Sequence, residues 1–241
     1  MRIGIMQPYF FPYLGHFALI ANVDAWIVFD VTQYTPKTWI SRNRILHPTS
    51  GTNWISIALK NSSISIKIRE ARVLDVATSA NSTLGKLSHY RHKAPYARQV
   101  EEIVKATFAA VGADDSLVAL NVAGLDTVCA YLGVPFRRSI CSEMDLRLPE
   151  RLGPGEWALE IASQVGATTY VNPLGGRALF SLEEFEKRGV GLEFLKVTDF
   201  TYQTGSFSFT PNLSILDVLM WNGPGVVVRA LQTNSSIIAP D

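Results

Sequence analysis

The sequence predicts an α/β fold, a mostly parallel sheet with flanking helices plus an inserted β-hairpin and a helical segment. Three observations carry the prediction. Strand-like and helix-like stretches alternate at both ends of the chain. The strands there, such as AWIVF at 25–29, are apolar on both faces, as a parallel sheet covered by helices requires. At 241 residues, with 47% hydrophobic and 18% charged side chains, the chain can bury one large core. It is therefore read as a single domain over residues 1–241.

The elements follow in order. A short apolar strand at 3–6 runs into a loop in which Pro8 and Pro12 fix φ and remove two backbone donors, and a helix at 15–22 follows. A second strand spans 25–30. Residues 54–59 and 64–73 each alternate with period two around Asn61, Ser62 and Ser63, which predicts an antiparallel hairpin. Helical periodicity at 82–90, 97–111 and 117–132 makes 82–132 a helical segment. Strands at 137–141, 168–171 and 191–197 then alternate with helices at 157–165 and 182–187. A helix at 215–220 is introduced by Pro211 with Asn212 as its cap and stopped by Gly223 and Pro224. Residues 233–241 show no periodicity and are expected to fray.

Composition narrows the function. Twenty-two basic against 21 acidic side chains give a net charge of +1, too small for a nucleic-acid footprint, so no nucleic-acid partner is expected. Cys129 and Cys141 lack CxxC spacing and read as buried thiols. No apolar stretch reaches the roughly 18 residues a membrane span needs, and Gln7, Pro8, Pro12 and His16 interrupt any signal-peptide layout. A cytoplasmic protein without membrane insertion is expected. His89 and His92 share a helix face but lack the spacing partners that would complete a metal site, so none is expected. Gly153 to Ala158 fits GxGxxA without the preceding strand a dinucleotide loop needs, and reads as a helix start. P-loop, GxSxG and HExxH motifs are absent.

Four polar and aromatic clusters, three of them at strand ends, are the candidate site, because open α/β sheets bind ligands there. The first holds Gln7, Tyr9, Phe10 and His16. The second, DVTQYTPKTWISRNRIL, holds Asp30, Gln33, Trp39, Arg42, Asn43 and Arg44; if extended, it points both guanidinium groups to one face, two forks suited to phosphate or carboxylate. The third, YVNPLGGRALF, holds Asn172, Gly175, Gly176 and Arg177, where glycines let backbone amides approach a ligand. The fourth holds Asn212 and Asp217 near a helix start, and there a structural role leads.

At these clusters the chain resembles the WbqC-like family. Its members share an MQPxYFPxxG opening, a WIxRNRI segment, a YxNPxGG turn and a PNLSIxDxLxxxGP tail. Here these stand in order as MQPYFFPYLG, WISRNRI, YVNPLGG and PNLSILDVLMWNGP, spanning residues 6–224. The resemblance implies a place in bacterial surface-polysaccharide (O-antigen) or related biosynthesis, with glycine or acyl transfer to an amino sugar. It carries functional candidacy onto Gln7, Tyr9, Asp30, Gln33, Arg42, Asn43, Arg44, Asn172, Gly175, Gly176, Asn212 and Asp217. The chain departs from the pattern at His16, where an aromatic residue is common, and at Val31, where a second acid often follows Asp30.

The expected activity is transfer of a small acyl or aminoacyl group, such as glycyl, onto an amine of a nucleotide-activated sugar. Asp30 is expected as general base and Arg42 beside it in the catalytic set; Arg42 and Arg44 would hold phosphate, and amides at Gly175 and Gly176 would face the oxyanion. The acyl donor is left open among acyl-adenylate, thioester and aminoacyl-tRNA, and near-neutral charge argues against the last. No cofactor and no oligomeric state is readable. Two alternatives stand. One is a nucleotidyltransferase-like or acyl-adenylating enzyme, since FFPYLGH is similar to FDPxHxGH, although the Pro-to-Gly spacing is one residue shorter and Tyr13 or Leu14 replaces the first His. The other is a non-catalytic sugar-nucleotide-binding module.

Overall fold

The computed structural model describes residues 1–240. β1 (Arg2–Met6), buried at Ile3, Gly4 and Ile5, is returned by α1 (Leu14–Ala21) to β2 (Ala25–Val28), and the two pair in parallel. A long excursion follows: the hairpin β3 (Arg42–Leu46) and β4 (Thr52–Ser56), then α2 (Val76–Leu87), α3 (Ala97–Val111) and α4 (Leu117–Leu132). The chain re-enters the sheet at β5 (Arg138–Ile140) and passes through α5 (Glu156–Gln164), β6 (Thr169–Pro173), α6 (Leu182–Lys187) and β7 (Gly191–Val197). It ends with α7 (Ile215–Trp221), α8 (Pro224–Thr233) and β8 (Ser235–Ile238).

The main sheet has the order β5-β2-β1-β6-β7-β8, with every neighbouring pair parallel except β7 with β8. From β1 the strands run outward to β2 and β5 on one side and to β6 and β7 on the other. The order reverses between β1 and β6, which is the switch point where such sheets open a crevice. Ile3, Ile5, Ile27, Tyr170, Leu192 and Phe194 bury one face of the sheet with residues of α5 and α6. Trp26, Val28, Val171 and Leu195 bury the other among α1, α3, α4, α7 and α8. Two-sided burial explains why these strands are apolar throughout.

Four expectations are corrected. The hairpin forms one segment earlier: β4 pairs antiparallel with β3, in register from Arg42 with Ser56 to Leu46 with Thr52, and the expected 54–59 with 64–73 pairing shrinks to the single bridge of Leu59 with Val73. Ile57, Ile68 and Val73 are buried, but the segment's backbone groups go elsewhere: the Ile57 amide donates to Ser41, the Tyr34 amide to Ile66 and the Ile68 amide to Thr32. α2 begins at Val76 rather than 82, because Asp75 accepts from the Thr78 amide (2.5 Å) and caps the first turn. α7 ends just before Gly223 and Pro224, as expected; Pro224 also opens α8, where its missing donor costs nothing, and the stretch expected to fray carries β8 on the edge of the sheet. Ser214, not Asn212, caps α7. Asp241 lies outside the described residues.

The segment between β1 and α1 has no regular structure to satisfy its backbone, and distant side chains do so. Asn121 of α4 donates to the carbonyls of Pro8 and Ile40 (2.8 Å each). Asn43 of β3 donates to Phe10 (3.1 Å) and Phe11 (2.8 Å), the Ser214 hydroxyl donates to Phe11 (2.8 Å), and the Ile215 amide to Pro12 (2.8 Å). Phe11 has φ of +40°, a region open chiefly to glycine, and its buried ring lies against Gly124. Asn43→Ala leaves the buried Phe10 carbonyl without its side-chain donor, and Ser214→Ala removes one of two donors to Phe11 together with the cap of α7, so each is expected to lower stability by about 1–3 kcal/mol. Urea unfolding measures it; unchanged midpoints would show that water replaces the clamp at no cost.

Candidate ligand-binding site

The carboxyl ends of β1, β6 and β7 surround a cavity of about 510 Å³. The loop after β1 contributes Tyr9, Pro12 and Tyr13; the turn after β6 contributes Pro173, Leu174 and Gly175; β7 and the residues after it contribute Leu195, Lys196, Val197, Thr198 and Asp199. Trp39, Asn43, Arg44 and Asn212 complete the wall. Burial raises the phenol pKa of both Tyr9 and Tyr13, so both present neutral hydroxyls. Gly15 lies under the Tyr13 ring, where a Cβ would stand 2.5 Å from it, so glycine at this position lets Tyr13 fold over the helix start.

The hairpin sorts its side chains by alternation. Asn43, Ile45 and Ile55 turn inward, while Arg42, Arg44 and Trp54 share the outer face. The extended conformation required to align the two arginines is thus present. Arg42 lies over Trp54, 4.0 Å from the ring centroid, and Arg44 over Trp39 at 5.6 Å. Arg44 borders the cavity and Arg42 stands beside it on the same strand.

The turn after β6 is shaped by Asn172, whose Oδ1 accepts from the Tyr170 hydroxyl (2.7 Å) and whose amide donates to the Pro173 carbonyl (2.8 Å). A Cβ on Gly176 would stand 2.2 Å from that amide, so Gly176 accommodates the turn, and Gly175 faces the cavity. Arg177 lies over the Phe194 ring (5.9 Å) and lines a separate hollow beyond Gly175.

Several expected site residues stand elsewhere. Asp30 is 1% exposed, and both its oxygens accept from Ser142, Oδ1 from the amide (3.0 Å) and Oδ2 from the hydroxyl (2.5 Å), tying the end of β2 to the turn after β5. Gln7 donates to the Thr32 hydroxyl (3.4 Å), and Gln33 to the Ile64 carbonyl. Phe10 is core, edge-on to Phe11. Asp217 is fully buried; it accepts from the Tyr90 and Tyr202 hydroxyls and the Leu46 amide, which anchors β3 to α7, and burial raises its pKa. His16 is buried between Tyr9 and Trp26 with neither ring nitrogen hydrogen-bonded to a described residue. Burial pushes its imidazole down to about 3.

The sequence reading missed Lys196 and Asp199 altogether. Their signal was the same strand-end rule, applied to the polar residues that close β7. Asn121 and Trp54 gave no such signal, since a lone Asn in a helix and a strand Trp suit many roles. Among the described residues no cluster of three or more His, Cys, Asp or Glu side chains is arranged to hold a metal ion, and no helix is long and apolar enough to cross a membrane.

Fold and cavity together define a doubly wound α/β protein with a crevice at its switch point. The chain belongs to the WbqC-like protein family, whose model matches residues 7–228. It is also similar to the uncharacterized protein Rv1507c of Mycobacterium tuberculosis, with 28% identity over 221 residues covering 90% of this chain and 92% of that one. No solved structure gives a significant match.

Two predictions follow from these placements. Asp30→Asn removes a charged acceptor from a buried bond pair and is expected to cost about 1–3 kcal/mol in urea unfolding while leaving ligand affinity at the cavity unaltered; lost affinity without lost stability would return Asp30 to the site. For His16 the unfolded chain takes up a proton below about pH 6.5 that the folded chain refuses until about 3, so folding stability drains away across that window as pH falls. His16→Phe is expected to flatten the loss measured between pH 7 and pH 4.5; an equal loss in both proteins would show that His16 is accessible to protons when folded.

Proposed function

We propose that the protein is a transferase that moves a small acyl or aminoacyl group, such as glycyl, onto the amine of a nucleotide-activated amino sugar, in surface-polysaccharide or related biosynthesis. The observation that carries this reading is the lining of the switch-point cavity. Aromatic faces (Tyr9, Tyr13, Trp39), two cations (Arg44, Lys196) and one carboxylate (Asp199) meet there. A sugar ring stacks on aromatic side chains, phosphate pairs with the cations, and the carboxylate serves a reacting amine.

In this proposal Asp199, rather than Asp30, is the general base. The amine nitrogen attacks the acyl carbonyl, its proton passes to the Asp199 carboxylate, and the donor's leaving group departs as the amide forms. The neutral phenols of Tyr9 and Tyr13 donate hydrogen bonds, and the uncrowded backbone of Gly175 borders the same space. The nucleotidyl-transfer alternative depends on a histidine beside the phosphates, whereas His16 is buried outside the cavity lining.

The test is to incubate purified protein with amino-sugar nucleotides and, in turn, acyl thioesters, acyl-adenylates and aminoacyl donors, and to seek the product's mass increase. Turnover is expected with one donor class, and Asp199→Asn is expected to lower kcat by about 100-fold or more with sugar-nucleotide binding retained. Saturable binding without turnover across all donors would make the protein a binding module. Full activity of Asp199→Asn would remove the base assignment.

A further inference from the structure

The Leu174–Gly175 turn is a wall with a hollow on each side. Both residues line the switch-point cavity, and both line a second hollow of about 480 Å³. β7 borders the two, and its alternation divides them: Leu195 and Val197 line the cavity, whereas Leu192 and Phe194 line the second hollow. Phe180 and Leu182 extend that second lining, and Arg177, 5.9 Å over the Phe194 ring, carries the one polar side chain in it. The result is an apolar trough of a size that holds small molecules. Gly175 is the low point of the wall. Packing explains the two other glycines at this turn, since a Cβ on Gly176 would collide with the Asn172 amide and one on Gly155 with the Leu179 carbonyl. Gly175 has no positive φ, and a Cβ there would meet nothing within 4 Å. Gly85 shares this freedom but lines neither hollow. Neither backbone nor packing requires glycine at 175, and the missing side chain leaves an open saddle between trough and cavity.

A transferase brings two substrates together, and this arrangement separates two ligands except at one rim. The cavity offers cations, a carboxylate and aromatic faces to a sugar nucleotide; the trough offers hydrocarbon and a single guanidinium. The ribose hydroxyls and base edge of an acyl-adenylate would lie in the trough without partners, which is costly. A slender arm of methylene and amide groups is matched, its apolar length against Phe180, Leu182, Leu192 and Phe194 and its amide oxygens within reach of the Arg177 donors. We propose that the trough is the acyl-donor site: it takes a pantetheine-type arm whose thioester lies over Gly175 and delivers the acyl carbon into the cavity. The inference rests on the transferase reading for its reaction and names the donor that reading leaves open. In that step the amine nitrogen bonds to the acyl carbon, the C–S bond breaks, the arm leaves as a thiolate, and the proton taken up by Asp199 ends on that sulfur.

Titration calorimetry of the full chain with S-acetylpantetheine, pantetheine and a non-hydrolysable acetyl-adenylate analogue tests it. The wild-type protein is expected to bind the thioester saturably. Leu182→Glu sets a carboxylate in the trough at the first turn of α6, where an acid suits the helix, and is expected to weaken thioester binding at least about tenfold. Ala178→Trp, which fills the trough from an exposed position, is expected to do the same. Gly175→Val blocks the saddle and is expected to weaken the thioester while leaving pantetheine, which has no acyl group to carry across, nearly unchanged. Thermal melts of each variant verify that it folds. Absence of saturable thioester binding, or equal affinity in the wild type, Leu182→Glu and Ala178→Trp, overturns the site. Equal losses of thioester and pantetheine in Gly175→Val overturn the crossing, and tighter binding of the adenylate analogue, lost in Leu182→Glu, overturns the donor class. Transfer from a thioester whose KM is unaltered in Leu182→Glu would overturn the trough and spare the transferase reading, whereas trough-dependent thioester binding without transfer to any amino-sugar nucleotide would do the reverse.

Discussion

The backbone carbonyls of Pro8, Phe10, Phe11 and Pro12 belong to no helix or strand, and the site depends on how they are satisfied. Two prolines stiffen this stretch and deny it local donors, and Phe11 adopts a φ that a bulky residue reaches only at a cost of about 1–3 kcal/mol. Left alone, the segment would relax or take up water. Instead Asn121 from α4, Asn43 from β3, and Ser214 with Ile215 at the start of α7 close on it from three regions of the sequence. Each is a buried donor meeting a buried acceptor, where an unmade bond is expensive. The same bonds that hold the loop therefore fix the hairpin and α7 against the end of the sheet. Tyr9 and Tyr13, carried on that loop, are held at the cavity by groups far away in sequence.

This clamp explains which parts of the molecule were legible in the sequence. The parallel strands were, because burial on both faces demands apolar residues at every position, and AWIVF can hardly be anything else. The outward alternation of Arg42 and Arg44 was legible for the same periodic reason. The partner of β4 was not, since β3 reads Arg-Asn-Arg-Ile-Leu and hides its inward face behind a polar residue. Asn43 faces the core because it donates to two carbonyls, a requirement set by a loop more than thirty residues away. α8 was hidden by Pro224, which ends one helix in sequence logic and starts another in space.

The carboxylates teach a second distinction. Asp30 and Asp217 stand in strong motifs and look like ligands for a substrate, yet each spends its oxygens inside the protein, on Ser142 in one case and on Tyr90, Tyr202 and Leu46 in the other. Asp199 stands in no motif, is exposed at the end of β7, and has its carboxylate unbonded among the described residues. These two acids build the frame, whereas Tyr9, Arg44 and Asn212 of the motifs, and Asp199 of none, line the cavity. A strand-end acid read from sequence alone cannot be sorted between these roles, because the sorting depends on how many donors the folded chain aims at it.

Charge placement completes the argument. A balance of 22 basic against 21 acidic residues gives almost no global field, and removing Arg42, Arg44 and Lys196 would turn it net acidic. Arg42, Arg44 and Lys196 stand around one hollow and its adjoining ledge, while Arg2, Arg91, Arg138, Arg188 and Lys60 pair with carboxylates at the surface. Surface pairs contribute little to stability, but they cancel charge away from the cavity. What remains is a local potential set against aromatic walls of low polarity, where an anion's attraction is screened less than it is in open water. In the proposed reading, such an arrangement draws an anionic substrate to this hollow.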